Sequence, residues 1–219
     1  MIRLLSAAVS LVGLLTTTAL AENDRTIKFD LHVNPAFKKC VGDDPQASVK
    51  VVRGDLNDRL MVEISGIHPN LAFDVFTVQR SNLDFNGNPA ASFNGSFGLA
   101  WYQTDLQADE YGNGRAFIRT ILLDQIFGFD ADKLADGTIR LPPTNTFHVG
   151  FWFNDPNDAK ACGFDVTKPT PFNGEHKAGP LAMISEPVPP ANLGPLCTRP
   201  TGVTEDENAK DPTKLLCNP

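Results

Sequence analysis

The sequence lacks clustered positive charge. Its 219 residues include 19 Lys and Arg against 26 Asp and Glu, which gives a formal net charge of −7, and no run of basic residues stands out. Nucleic acids and anionic membranes are bound by clustered Lys and Arg side chains. The sequence therefore predicts neither as a partner, and the acidity indicates a chain that stays soluble.

Several sequence signatures of enzymes and metal sites are also missing. There is no G-x-S-x-G nucleophile elbow, no His-x-His pair and no C-x-x-C pair, and the four histidines are isolated. No resident cofactor or metal is therefore predicted. A Ser–His–Asp site assembled from distant residues stays open, because catalytic triads are often built that way.

Long apolar runs are missing after the N-terminus. Met1-Ile-Arg is followed by LLSAAVSLVGLLTTTAL, which ends in Ala19-Leu20-Ala21. A basic start, an apolar middle and an A-x-A end are typical of a secretory signal peptide. We expect residues 1–21 to be removed, leaving an extracellular or periplasmic protein with no membrane span. A membrane anchor is less favoured, because Ser, Gly and Thr interrupt the run and no basic stop-transfer cluster follows.

Four cysteines follow the predicted signal peptide. An even number in an exported chain indicates two disulfides, with three possible pairings. The spacing favours Cys40–Cys162, which would tie the body together, and Cys197–Cys217, which would close a loop in the tail.

Eight segments alternate between apolar and polar residues, the pattern of strands with one buried face. They are 26–33, 48–53, 59–65, 71–80, 96–104, 114–123, 146–153 and 180–185, and Gly-, Asn- and Asp-rich turns separate them. We predict an all-β fold: an immunoglobulin-like antiparallel β-sandwich over 22–185. It would have a long loop at 81–97 and a short helix at 122–137. Residues 186–219 are proline-rich and are expected to form an irregular tail held by a disulfide.

The segment VEISGIHPNLAFDVFTV resembles the strand–corner–strand region of fibronectin type III and related immunoglobulin-like domains. Ile67, Pro69, Asn70 and Phe73 occupy the places of that pattern, although the family usually has Tyr where Phe73 stands. Residues 162–185 resemble a segment of uncharacterised exported bacterial proteins. The first resemblance implies a fold, and neither implies an activity.

The strand at 146–153 has two different faces. Phe147, Val149, Phe151 and Phe153 point one way, and His148, Gly150 and Trp152 point the other, with Asn154 following. A tryptophan plate flanked by hydrogen-bonding groups predicts a carbohydrate or small-ligand platform formed by His148, Trp152 and Asn154. The favoured alternative is that the 81–97 loop or the tail covers this face, because the phenylalanines of that loop need a partner.

Three further sets of residues are weaker candidates for a catalytic, metal-binding or modification site. Asp155, Glu175 and His176 would form the acid site of a hydrolase, although a plain surface turn around 175 is favoured. Asp130, Asp132 and Asp136 could bind calcium, but their spacing departs from an EF-hand loop and a helix cap explains them equally well. Asn94 is a glycosylation acceptor if the chain is eukaryotic.

These observations favour a secreted, non-catalytic binding module or cell-surface or envelope protein. The alternatives are a secreted hydrolase and a purely structural extracellular protein.

Overall fold

The computed structural model describes residues 26–54, 57–91, 93, 95, 97–120, 129–130, 146–170, 177–187 and 194–197, with the backbone alone at 99, 120, 129 and 130. The predicted signal peptide lies outside these residues. Among the helices in the described part of the chain, none has the length and apolar character needed to cross a membrane.

The described residues form ten β-strands and two short helices. The strands are β1 (Thr26–Val33), β2 (Gln46–Val52), β3 (Asp58–Ser65), β4 (Ala72–Val78), β5 (Leu99–Gln107), β6 (Gly114–Thr120), β7 (Phe129–Asp130), β8 (Thr146–Phe153), β9 (Leu181–Ser185) and β10 (Leu196–Cys197). The helices are α1 (Lys38–Val41) and a 3₁₀ helix (Pro156–Cys162). All eight segments predicted from alternation are strands, with bounds that agree within a few residues.

All the strands belong to one antiparallel sheet. Its order is β6-β3-β2-β1-β9-β8-β4-β5-β7, and β10 pairs with β8. The sheet curls until β5 and β6 approach each other, so it is nearly a barrel. The all-β class is therefore confirmed. The immunoglobulin-like sandwich is not confirmed. A sandwich has two separate sheets, whereas here the pairings between neighbouring strands join all of them into a single sheet.

The inside of the curled sheet holds the main core. Along β2 and β3, buried residues alternate with exposed or half-buried ones. The buried apolar residues belong to this core: Ala47, Val49 and Val51 in β2, and Leu60, Val62 and Ile64 in β3. Strands β4 and β8, on the opposite side of this core, contribute Phe73, Phe151 and Phe153. The Phe73 ring lies 5.7 Å from each of the other two rings. These rings fill the interior where the two halves of the sheet face each other.

The predicted corner at residues 67–73 is a tight turn into β4. Asn70 has φ 64°, a conformation that asparagine tolerates better than most residues, and its carbonyl accepts a hydrogen bond from Gln107 Nε2. Phe73 follows as a fully buried anchor. The corner therefore forms without a tyrosine hydroxyl.

Two sequence predictions need correction. Residues 129–130 form strand β7 beside β5, so a helix does not run through the whole of 122–137; the remainder of that segment lies outside the described residues. In the predicted irregular tail, Leu196 and Cys197 pair with Phe147 and Thr146. The backbone groups of β8 at that point are thus satisfied by the tail.

One disulfide joins the two helices. Cys40 in α1 is bonded to Cys162 in the 3₁₀ helix, with 6.2 Å between the Cα atoms, and this confirms the first predicted pairing. Phe37 packs edge-on against both Phe153 and Phe164 beside it. Cys197 lies in β10, whereas Cys217 lies outside the described residues.

A buried ion pair closes the turn between β2 and β3. The Arg53 Nε atom donates to Asp58 Oδ1 at 3.0 Å, and the Gly54 amide donates to the same oxygen at 3.0 Å. Both side chains are more than nine-tenths buried. The carboxylate therefore holds the turn and neutralises a buried guanidinium at the same time.

Replacing Asp58 with Asn should lower the free energy of unfolding by about 3 kcal/mol, because it removes the charged acceptor that both the buried Arg53 guanidinium and the Gly54 amide contact. Glu63→Gln is the matched control, since Glu63 lies on the same strand and accepts from Arg115 on the exposed surface. Its loss should stay below about 1 kcal/mol. Denaturant unfolding measures both, and equal losses would contradict the role given to the buried pair.

Replacing both Cys40 and Cys162 with Ala should lower the free energy of unfolding by about 4 kcal/mol, since the bridge spans 122 residues and restricts the unfolded chain. Denaturant unfolding with and without reductant gives the measurement. Reductant should lower the unfolding midpoint of the parent protein much more than that of the double variant. The same midpoint for the oxidised parent and the variant would show that this bridge does not stabilise the fold.

Candidate functional site

The outward face of β8 is covered. Trp152 is 1% exposed and His148 is fully buried. Trp152 belongs to a second core on the outside of the sheet, with Phe76, Val78, Leu83, Ala100, Leu181 and Ile184. Its ring lies 5.5 Å from Phe76 and 5.2 Å from Phe97. The favoured sequence interpretation, a second and smaller core, is the arrangement found.

The cover is supplied by the described residues between 79 and 98, which we call the covering loop. Leu83 and Phe97 pack into the second core, and the Phe93 ring lies 4.8 Å from the Phe97 ring, tilted by 55°. The Gln79 and Arg80 amides both donate to the Phe97 carbonyl, which ties the two ends of the loop together. Asn94, the predicted glycosylation acceptor, lies outside the described residues.

Gly150 makes room for protein rather than for a ligand. A Cβ atom at Gly150 would lie 3.1 Å from Trp152 Cζ3 and 3.3 Å from Leu181 Cδ1. The space beside Gly150 is therefore occupied by the indole ring and by the Leu181 side chain.

His148 is part of the strand packing. Its Nδ1 atom lies 3.0 Å from Ser185 Oγ and 3.1 Å from the Ser185 carbonyl, and the Val149 amide donates to the same hydroxyl at 3.3 Å. The imidazole therefore joins β8 to β9 inside the protein. The structure does not place it on an open surface.

Asn154 leads to a pair of carboxylates that sequence reasoning missed. Its Nδ2 atom donates to Asp74 Oδ1 at 2.8 Å. Asp74 is 1% exposed and stands directly opposite Asp105 in the β4–β5 register. Asp105 is exposed and accepts from the Tyr102 hydroxyl at 2.8 Å. The alternation of β4 predicts that Asp74 points outward, but its partner depends on a register that the sequence does not give.

Of the three predicted hydrolase residues, Asp155 alone lies among the described residues. Asp155 is exposed and caps the 3₁₀ helix by accepting from the Asn157 amide at 2.8 Å. Burial raises the pKa of the nearby Asp158 carboxyl, and the Asp155 charge raises it further. Glu175 and His176 lie outside the described residues.

Of the three predicted calcium ligands, Asp130 alone lies among the described residues. The Asp130 backbone lies in β7, and Asp132 and Asp136 are outside the described residues. His32 is paired with Glu186 and His68 contacts the Lys39 carbonyl. Within the described ranges, no group of three His, Cys, Asp or Glu side chains is arranged to hold a metal ion.

On the other half of the sheet most of the outward side chains are exposed, and we call this outer surface the open face. It consists of the outward side chains of β1, β2, β3 and β6. The residues between them in each of these strands point inward, to the main core. Pairing registers arrange these side chains in three rows across the strands. The rows are Asp30, Ser48, Glu63 and Arg115; then Lys28, Lys50, Met61 and Phe117; then Thr26, Val52, Arg59 and Arg119.

Phe117 is the most prominent apolar group on the open face. Its side chain is 63% exposed, next to the partly exposed Met61 and between Arg115 and Arg119 along β6. A groove of about 420 Å³ borders the acidic row, lined in part by Asp30, Gln46, Glu63 and Ser65. The open face therefore presents apolar and charged groups that are available to a partner.

No model of a known protein family matches the chain, and no curated protein matches it.

The two tryptophans report directly on the covered face. In a Trp101→Phe variant, the fluorescence of Trp152 should be blue-shifted and resist quenching by acrylamide, because its ring is buried. Trp152→Phe is the control, since it leaves the partly exposed Trp101 as the reporter and should be quenched more readily. Strong quenching of Trp152 would mean that the covering loop opens in solution.

Proposed function

We propose that the protein is an exported, non-catalytic binding module of the cell surface or envelope, and that it binds a carbohydrate or another extracellular ligand. The N-terminal sequence of residues 1–21 supports export. The Cys40–Cys162 disulfide supports an oxidising compartment, since such bonds persist mainly outside the cytosol. The proposal does not depend on an immunoglobulin-like relationship, which rests on the corner at residues 67–73.

The observation that carries the binding proposal is the composition around Phe117. Binding surfaces are enriched in aromatic residues, Met and Arg, with the aromatic side chains providing most of the affinity. Phe117, Met61 and the two flanking arginines bring these types together on a surface that the fold leaves uncovered. The predicted platform at His148 and Trp152 supports binding less well, because it is closed.

The hydrolase alternative has one supporting feature, the carboxylate pair of Asp74 and Asp105. Paired carboxylates perform acid–base and nucleophilic steps in glycosidases. Here Asn154 donates a hydrogen bond to Asp74, and Tyr102 donates one to Asp105, so each carboxylate has a neutral donor. Asp74 is also buried. These contacts favour a structural use of the pair over a catalytic one.

Phe117→Ala should weaken binding of the mature protein to the insoluble polysaccharide it prefers by about tenfold, as loss of a central aromatic contact does. Co-sedimentation with chitin, cellulose, calcium pectate and peptidoglycan gives the measurement. Tyr111→Ala is the matched control, because Tyr111 is an exposed aromatic on the β5–β6 turn and lies off the open face.

Two outcomes would replace this proposal. Hydrolysis of one of these polysaccharides, abolished in Asp105→Asn or Glu175→Gln, would indicate the secreted hydrolase. An intact fold with neither binding nor hydrolysis would indicate a purely structural protein.

A further inference from the structure

Folding gathers cations that are scattered along the sequence. The second and third rows of the open face contain Lys28, Lys50, Arg59 and Arg119 around Met61 and Phe117, and no acidic side chain. We call these two rows the basic strip. Its four cations lie at positions 28, 50, 59 and 119 of the chain, so no basic run marks them in the sequence.

The basic strip contains two like-charge pairs. Lys28 is directly opposite Lys50, and Arg59 is directly opposite Arg119. Like charges at facing positions of antiparallel strands are destabilising. Among the described residues, no carboxylate lies within ion-pair distance of Lys50, Arg59 or Arg119. In a chain with 26 acidic residues and a net charge of −7, overall composition does not explain this arrangement.

The shape of the strip restricts its partner. Three inter-strand spacings make it about 14 Å long, and two residues along a strand make it about 7 Å wide. The neighbouring row includes the carboxylates of Asp30 and Glu63, with Glu63 bonded to Arg115. A planar anionic surface such as a bilayer would meet those carboxylates. A linear anionic chain lying across the strands would avoid them.

We propose that the basic strip binds a polysaccharide whose sugars carry carboxylate groups. Arginine forks at positions 59 and 119 match the two oxygens of a carboxylate, and Lys50 adds a point charge. Phe117 and Met61 offer an apolar surface to the faces of the sugar rings. This inference rests on the proposed binding function and names the chemical class of its ligand.

The test is binding of the mature protein to soluble polygalacturonate, measured by calorimetry at 50 and 200 mM salt. Affinity for the parent protein should fall by about tenfold between the two, because bound cations displace counterions. The Arg59→Gln/Arg119→Gln variant should bind at least about tenfold more weakly, with a shallower salt dependence. Neutral dextran should not bind.

The charge-matched control is Lys39→Gln/Lys160→Gln, which removes two exposed cations from the helices and should change the affinity by less than about threefold. The arginine variant should unfold at the same or a higher denaturant concentration than the parent, because a like-charge pair is relieved. A loss of binding is therefore not a loss of folding.

Failure to bind polygalacturonate at 50 mM salt, or equal binding by the arginine variant, would overturn the inference. Tighter binding to phosphatidylglycerol vesicles than to the polysaccharide would also overturn it. If Phe117-dependent binding to a neutral insoluble polysaccharide persists in the arginine variant, the proposed function stands and only the acidic ligand is wrong. If that binding is absent as well, both proposals fail.

Discussion

The structure depends on the burial of β8 on both sides. Every residue of this strand is buried, with Phe147, Val149, Phe151 and Phe153 in the main core and Trp152 in the second. A strand with two apolar environments must be covered twice, once by the curl of the sheet and once by the covering loop. Each fully buried large side chain contributes roughly 1.5–3 kcal/mol to the free energy of unfolding. Burial of β8 on both sides therefore favours a closed body.

The two halves of the sheet consequently differ in chemistry. The half around β8 uses its outer surface for packing, and polar groups there, such as Asp74 and His148, bond to neighbouring protein groups. The half containing β1, β2, β3 and β6 buries one side and leaves the other in solvent. An exposed aromatic among arginines on that half therefore supports recognition better than a second packing surface.

Two-residue alternation is sufficient to predict eight of the ten described strands, because a strand with one buried face shows its own period, whereas β7 and β10 have only two residues each and show none. It could not show whether the polar face of β8 is open, since the answer depends on a loop that begins after β4. The phenylalanines of that loop were the available signal. Strand order was also beyond the sequence, and a sandwich was predicted where a single curled sheet forms. The basic strip and the Asp74–Asp105 pair were missed for the same reason, because both depend on the register between separated strands.

The pairing of β1 with β9 has a consequence for biogenesis. Leu31 pairs with Ser185, so the first strand finds one of its partners only when most of the chain is available. Such non-local contacts slow folding, since a long loop must close before they form. For a polypeptide that is exported as proposed, this delay is useful. Because the sheet cannot be completed until β9 has been synthesised, the late pairing favours an unfolded state of the chain during the proposed export.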